Sequence, residues 1–177
     1  MHLVSKIIAS AALLLLVVIG LIVTDALPYW INITPSMPRG LYRKTDKVLY
    51  RGAIVAECLP LEQAELAKER GWLQHGKCPG NVMSVMKEVF GLPGDTVELA
   101  NEYVAVNDTL IFETETRETD SQGRPLPAYP RGVFVLQPGQ VFLLATRKAN
   151  SWDSRNIGPV QESNVIATLQ PVWVEGK

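Results

Sequence analysis

The stretch Val82-Met-Ser-Val-Met-Lys-Glu-Val-Phe-Gly-Leu-Pro-Gly-Asp95 reads as a strand over Val82–Phe90 that runs into a tight turn at Gly91–Asp95. Three valines and a phenylalanine favour extended chain, and Gly-Leu-Pro-Gly cannot prolong it. Just beyond, Thr96–Leu99 and Tyr103–Val106 form a hairpin pattern, and Asn107-Asp108 turns the chain into Thr109–Phe112. Upstream, Val48–Glu57 is strand-like, and Leu61–Arg70 is a helix ended by Gly71. Downstream, the polar, proline-containing segment Glu113–Arg131 reads as a long exposed loop. Val133–Leu136 and Val141–Ala145 flank Gln-Pro-Gly-Gln as a second hairpin, and Val165–Val174 is a last strand. Many short strands at this spacing with one small helix predict a mainly β domain.

The start of the chain is of another kind. Ile7–Val23 carries no charge and only one Ser and one Gly, and it reaches the lower end of the length that crosses about 30 Å of hydrocarbon. We read residues 1–26 as a cytoplasmic tip and a single transmembrane helix, and 27–177 as a periplasmic domain. A cleavable signal peptide is the alternative, but Thr24-Asp25-Ala26 is a poor cleavage site and Pro28 follows it. Lys6 and the free amine before the apolar run, with only Asp25 soon after it, place the N-terminus in the cytoplasm. That puts the protein in the inner membrane, single pass, with the lipid bilayer as a partner. Tyr29 and Trp30 sit at headgroup level or in the core of the domain that follows.

Of the 177 residues 20% are charged and the formal net charge is −1, so no global field points to nucleic acid. Cys58 and Cys78 are the only cysteines. A disulfide between them suits an oxidising compartment; two separate buried thiols, or a zinc site leaning on His75, are the alternatives.

The sequence lacks G-x-S-x-G, H-E-x-x-H, P-loop and G-x-G-x-x-G signatures, and its only histidines are His2 and His75. A hydrolase built from this chain therefore needs a base other than histidine, and a serine–lysine pair is the known variant. Its lysine must be neutral, which burial among apolar groups favours. Lys87 shares a strand face with Val85 and Val89 while Glu88 points away; Lys44, Lys47, Lys68, Lys77, Lys148 and Lys177 lie among polar or loop residues. Ser36 sits between Pro35 and Pro38 in a stiffened loop a short distance after the apolar run. Neither pattern is decisive alone, since an outward strand lysine and a proline-rich linker look the same.

Ser36-Met37-Pro38 with Gly40, Lys87 leading into Gly91-Leu-Pro-Gly-Asp95, and Asn150-Ser-Trp-Asp-Ser-Arg155 with Gly158 resemble, in order, three boxes of the type I signal peptidase family. Ile33–Tyr42, the cysteine pair, Ala67–Trp72 and Cys78-Pro-Gly80 are most similar to the conjugative-transfer, TraF-type branch. The resemblance implies a signal-peptidase-like β domain and a serine endopeptidase without metal or cofactor. It further implies Ser36 as nucleophile, Lys87 as general base, and an oxyanion hole from the Ser36 N–H and the Thr34 hydroxyl. Ser151 would orient the Lys87 amine, and Asp153 and Arg155 would form a supporting ion pair. The implied substrate is a membrane-inserted precursor with a small-residue cleavage site, in the TraF branch the conjugative pilin propeptide. Ala145-Thr-Arg-Lys-Ala149 departs from the housekeeping enzymes' Gly-Asp-Asn-Arg-Asp, and Thr34 stands where many relatives have Ser. A housekeeping signal peptidase and a non-catalytic assembly factor of a secretion channel are the competing readings.

Overall fold

The computed structural model describes residues 2–23, 27–46, 48–147 and 151–176. The expected boundary at residues 26 and 27, the Asp25 charge and Asn150 of the third box fall outside the described residues or at their edge. Chain order is α1 (His2–Val23), β1 (Tyr29–Asn32), β2 (Gly40–Thr45), β3 (Ile54–Glu57), α2 (Leu61–Glu69), β4 (His75–Cys78), β5 (Val85–Gly91) and β6 (Thr96–Leu99). There follow β7 (Val104–Val106), β8 (Thr109–Ile111), β9 (Gly132–Val135), β10 (Gln140–Leu144), α3 (Ser154–Ile157), β11 (Val160–Gln161) and β12 (Val165–Val174).

Side chains of α1 are described without a break over residues 4–18, and all of these are exposed. Among the described residues no helix is long and apolar enough to cross a membrane.

Apart from β4, the strands form two antiparallel sheets. One runs β1-β2-β12-β3-β5-β10-β11 and the other β8-β7-β6-β9. The quoted opening stretch is where the chain leaves the first sheet for the second. Asp95 N–H donates to Leu92 O at 3.0 Å, Leu92 N–H donates to Asp95 Oδ2 at 2.6 Å, and Gly94 takes φ +89°. That positive φ is the reason for glycine in the turn. The chain returns through β9 and β10, and here the expected second hairpin is corrected. β9 pairs with β6 and β10 with β5, so Gln137-Pro-Gly-Gln140 joins two sheets rather than two partners. The Thr96–Leu99 hairpin forms, with Val97 opposite Val106.

β10 lies between two cores, as its period of two requires. Val141 and Leu143 pack with Val55, Val89 and Val165, whereas Phe142 and Leu144 pack with Val97, Leu99 and Leu136. The strand expected over Val48–Glu57 is shorter, β3 alone, because residues 51 and 52 form a turn ahead of it. α2 buries Ala64 and Ala67 against Cys78 and Val82, and Cys58 and Cys78 are joined in a disulfide that closes 20 positions of chain. This removes the separate-thiol and zinc alternatives. In the chain-entropy account a loop of that size adds about 3 kcal/mol. Trp30 is half-buried against the core beside Met37 and Tyr42, with the Lys44 amine 5.6 Å over its ring, while Tyr29 is exposed.

Candidate active site

Ser36 lies in the seven-residue connection between β1 and β2, which pair with Asn32 opposite Gly40. The sequence pattern did not reveal this hairpin, because Pro35, Pro38 and Gly40 read as plain loop. Gly40 closes it with φ +143°, and a Cβ there would lie 2.1 Å from Trp173 O on β12, so only glycine lets β2 pass so close. Met37 is buried with Met86, Tyr42 and Ala145. The residue after the serine and the residue before Lys87 thus belong to one core cluster.

Asn32, missed in the sequence, organises this loop. Its Nδ2 donates to Thr34 O at 3.1 Å, Met37 O at 3.0 Å and Pro38 O at 3.0 Å. Its Oδ1 accepts from Thr34 N at 3.0 Å and from Thr34 Oγ1 at 2.7 Å. A carboxamide oxygen only accepts, so the single Thr34 hydroxyl proton points at Asn32. The 3.3 Å contact between Thr34 Oγ1 and Ser36 Oγ is then made with the serine donating.

Lys87 sits on β5 opposite Val55 and is only 3% exposed. Its Nζ donates to Ser151 Oγ at 2.7 Å, across 64 positions of chain. Burial pulls the amine below the ordinary lysine range; the carboxylates of Asp153 and Glu57 oppose that, and the Arg155 guanidinium adds to it. The structure brings Lys87 and Ser151 together, and Thr34 and Ser36 together. No hydrogen bond joins Ser36 to Lys87.

The supporting pair is buried rather than solvated: Asp153 is 0% and Arg155 1% exposed. Arg155 Nε and Nη2 donate to the two Asp153 oxygens at 2.9 and 2.8 Å. Asp153 also caps α3, accepting from Arg155 N, and accepts from Ala145 N at the end of β10. Ser154 Oγ accepts from Leu143 N. These bonds fix the segment carrying Ser151 to the strand beside Lys87. The supposed open loop 113–131 is laced onto the same segment: Arg155 Nη1 donates to Glu115 O, Arg131 Nη1 to Arg155 O, and Tyr129 covers Gly158. Trp152 also packs at a tilt against Trp72 of the disulfide lobe, with ring centres 5.2 Å apart.

Glu57, at the end of β3, is also fully buried, and neither carboxyl oxygen has a hydrogen-bond partner among the described residues. Burial pushes its carboxyl up to about 8; nearby Lys87 lowers it and Asp153 raises it. The sequence offered no sign of this beyond an acidic residue closing an apolar strand.

The signal peptidase, peptidase S26 family model matches residues 2–174. A plasmid transfer protein TraF of Escherichia coli is 36% identical over 143 residues, covering 80% of this chain and 81% of that protein. A conjugal transfer protein TraF of Agrobacterium fabrum is 36% identical over 151 residues, covering 82% of each. Signal peptidase I of Rickettsia typhi is 31% identical over 131 residues, which are 56% of this chain and 50% of that one. Among solved structures, a signal peptidase I of Enterococcus faecalis superposes with a TM-score of 0.42 at 20% identity, over 71% of this chain and 100% of that chain.

Proposed function

The chain belongs to the signal peptidase S26 family and to its TraF type, and from this premise we propose that it is a serine–lysine endopeptidase, anchored in the membrane by α1, that matures a membrane-inserted precursor. The observation that carries the reading is the buried Lys87 amine, pulled down by burial and held by Ser151. A base must shed its proton near working pH, and this amine is placed to do so.

In the mechanism Lys87 takes the Ser36 hydroxyl proton as Oγ attacks the scissile carbonyl, forming an acyl-enzyme. The Lys87 ammonium then gives that proton to the leaving amine. The Ser36 N–H and the Thr34 hydroxyl, once turned from Asn32, would hold the oxyanion. Ser36 must likewise turn its proton from Thr34 towards Lys87, a tightening that commonly waits for bound substrate. Water, or an amine of the substrate itself, resolves the acyl-enzyme.

The exposed apolar surface of α1 supports the anchor, since a helix apolar on every side needs an apolar surrounding. It would place the domain on the periplasmic face of the inner membrane, where the disulfide is stable. The TraF relatives match over four-fifths of their length and the Rickettsia enzyme over half. That favours a conjugative pilin precursor over the general secretory pool as substrate.

The test co-expresses a candidate pilin precursor with Ser36→Ala, Lys87→Ala or Lys87→Arg. Each should reduce processing on the order of 10⁴-fold or more. Arginine fails as well because its guanidinium stays charged. Normal processing by any of the three ends the mechanism and leaves the assembly-factor reading.

A further inference from the structure

We propose that Glu57 is a positioning residue of the active site: its buried, unpartnered carboxyl group forms with Lys87 a coupled pair that sets the pH at which the base becomes free. The inference rests on the reading of Lys87 as general base and adds to it a residue that the dyad does not use.

The geometry begins with register. Val55 faces Lys87 and Glu57 faces Val85 in the antiparallel β3–β5 pair. Val55, Glu57, Val85 and Lys87 therefore share one sheet face, with Glu57 and Lys87 as diagonal neighbours whose backbones are about 7–8 Å apart. On the other side of β3 the opposite residue on β12 is Val165, which is apolar. The ionisable groups that act on this pair are Asp153 and Arg155, from the segment that also carries Ser151.

Those two are already committed. Asp153 binds both nitrogens of the Arg155 fork and two backbone N–H groups. Glu57 alone is uncommitted, with no arginine, hydroxyl or backbone donor on it among the described residues. A carboxyl group buried without donors is costly unless its charge serves a neighbour or its proton is retained. Here both conditions hold in turn: burial keeps the proton on Glu57 up to about 8, and the Lys87 ammonium is the cation that favours its ionised form.

The consequence for catalysis is a balance. Burial by itself lowers the basicity of Lys87, and general-base efficiency is greatest when the base titrates near the working pH. Only in its ionised form does Glu57 restore basicity, by stabilising the protonated amine, so the proton that either group gives up is favoured on the other. The pair as a whole gains or loses protons in coupled steps, so each group's titration reports on the other. No proton need leave the site during turnover: the one taken from Ser36 goes to Lys87 and from there to the leaving amine, and Glu57 acts only through the equilibrium of Lys87.

The experiment compares wild type, Glu57→Gln and Glu57→Leu as full-length chains in detergent. The glutamine keeps shape without charge, and the leucine removes every group that needs a partner. The first readout is the Lys87 titration by NMR of ¹³C-labelled lysine, assigned with Lys87→Ala. The second is the pH profile of kcat/KM on an internally quenched peptide with alanine before the scissile bond. Both variants should titrate Lys87 about one pH unit lower than wild type. The acid limb of kcat/KM should move down with it, and the plateau should fall about threefold as the base weakens. A residue that mattered only for packing would change stability and leave the Lys87 titration in place. Superimposable Lys87 titrations in wild type and in whichever variant folds overturn the proposal. A shifted titration in a protein that never cleaves the peptide upholds the Glu57–Lys87 pair and counts against the peptidase reading instead.

Discussion

The connection carrying Ser36 and the pocket holding Lys87 fix their side chains by different means. In the connection, one carboxamide, Asn32, gathers three carbonyls and one hydroxyl, and only Met37 is anchored in the core. Ser36 itself stays half-buried, and its hydroxyl faces another hydroxyl. In the pocket, Glu57, Lys87, Asp153 and Arg155 lie fully or almost fully buried, Glu57 and Lys87 on strands from the middle of the large sheet. Neutral bonds leave a loop able to turn its hydroxyls when substrate arrives. Buried charges do the reverse, because each costs heavily to expose or to leave unpaired, and so they hold one arrangement. In the proposed mechanism this makes the nucleophile adjustable and the base set.

The sharpest way to break the contrast is Asp153→Ala. The Arg155 guanidinium would then remain buried without its carboxylate, and Ala145 N and Arg155 N would lose their acceptor. Breaking a buried pair from one side costs about 3–5 kcal/mol. Urea unfolding of the variant should show a loss of that size. A loss under about 1 kcal/mol, as for a surface pair, would mean that the pocket is not held by its charges.

A second test uses pH. Glu57 has an ordinary value of 4.5 in the open chain and about 8 when folded, so between these limits the native protein binds the extra proton. Its contribution to stability is therefore complete below pH 4.5 and is lost as pH rises through 8. Relative to Glu57→Gln, wild type should lose roughly 1 kcal/mol per pH unit across that window and then level off. Urea midpoints measured from pH 4.5 to 9 check it. Parallel curves would place a charged, solvated carboxylate at position 57.

What the sequence disclosed follows the same division. The Thr96–Val106 hairpin and β12 were legible because alternation and turn residues are local signals. The Gln137–Gln140 turn misled, because a tight turn looks the same whether the flanking strands pair or part for different sheets. Lys87 showed a face, Val85 and Val89, that could be read from spacing. Glu57 and the depth of Asp153 and Arg155 did not, since charged residues are taken for surface until packing from distant segments encloses them. The role of Asn32 stayed hidden for another reason. An asparagine before a Pro-rich stretch is ordinary turn chemistry, and only the folded connection shows five bonds converging on it.

The smallest expected effect tests the nucleophile side. Asn32→Ala frees three carbonyls and the Thr34 hydroxyl, but the loop is near solvent and water can replace much of what is lost, so stability should fall by only about 1 kcal/mol. Catalysis is more sensitive, because small displacements of a nucleophile cost rate steeply. We expect kcat on the alanine-containing peptide to fall about tenfold with KM little changed, since Asn32 touches the loop rather than the substrate. Asn32→Asp separates its two functions. The aspartate still accepts from Thr34 N and Oγ1 but cannot donate to the carbonyls of residues 34, 37 and 38, and it sets a negative charge against them. If the carbonyl bonds hold Ser36 in place, the aspartate variant is at least as slow as the alanine one. If the tie to Thr34 is what matters, the aspartate variant keeps wild-type kcat, and the loop is organised by one hydroxyl contact rather than by its backbone.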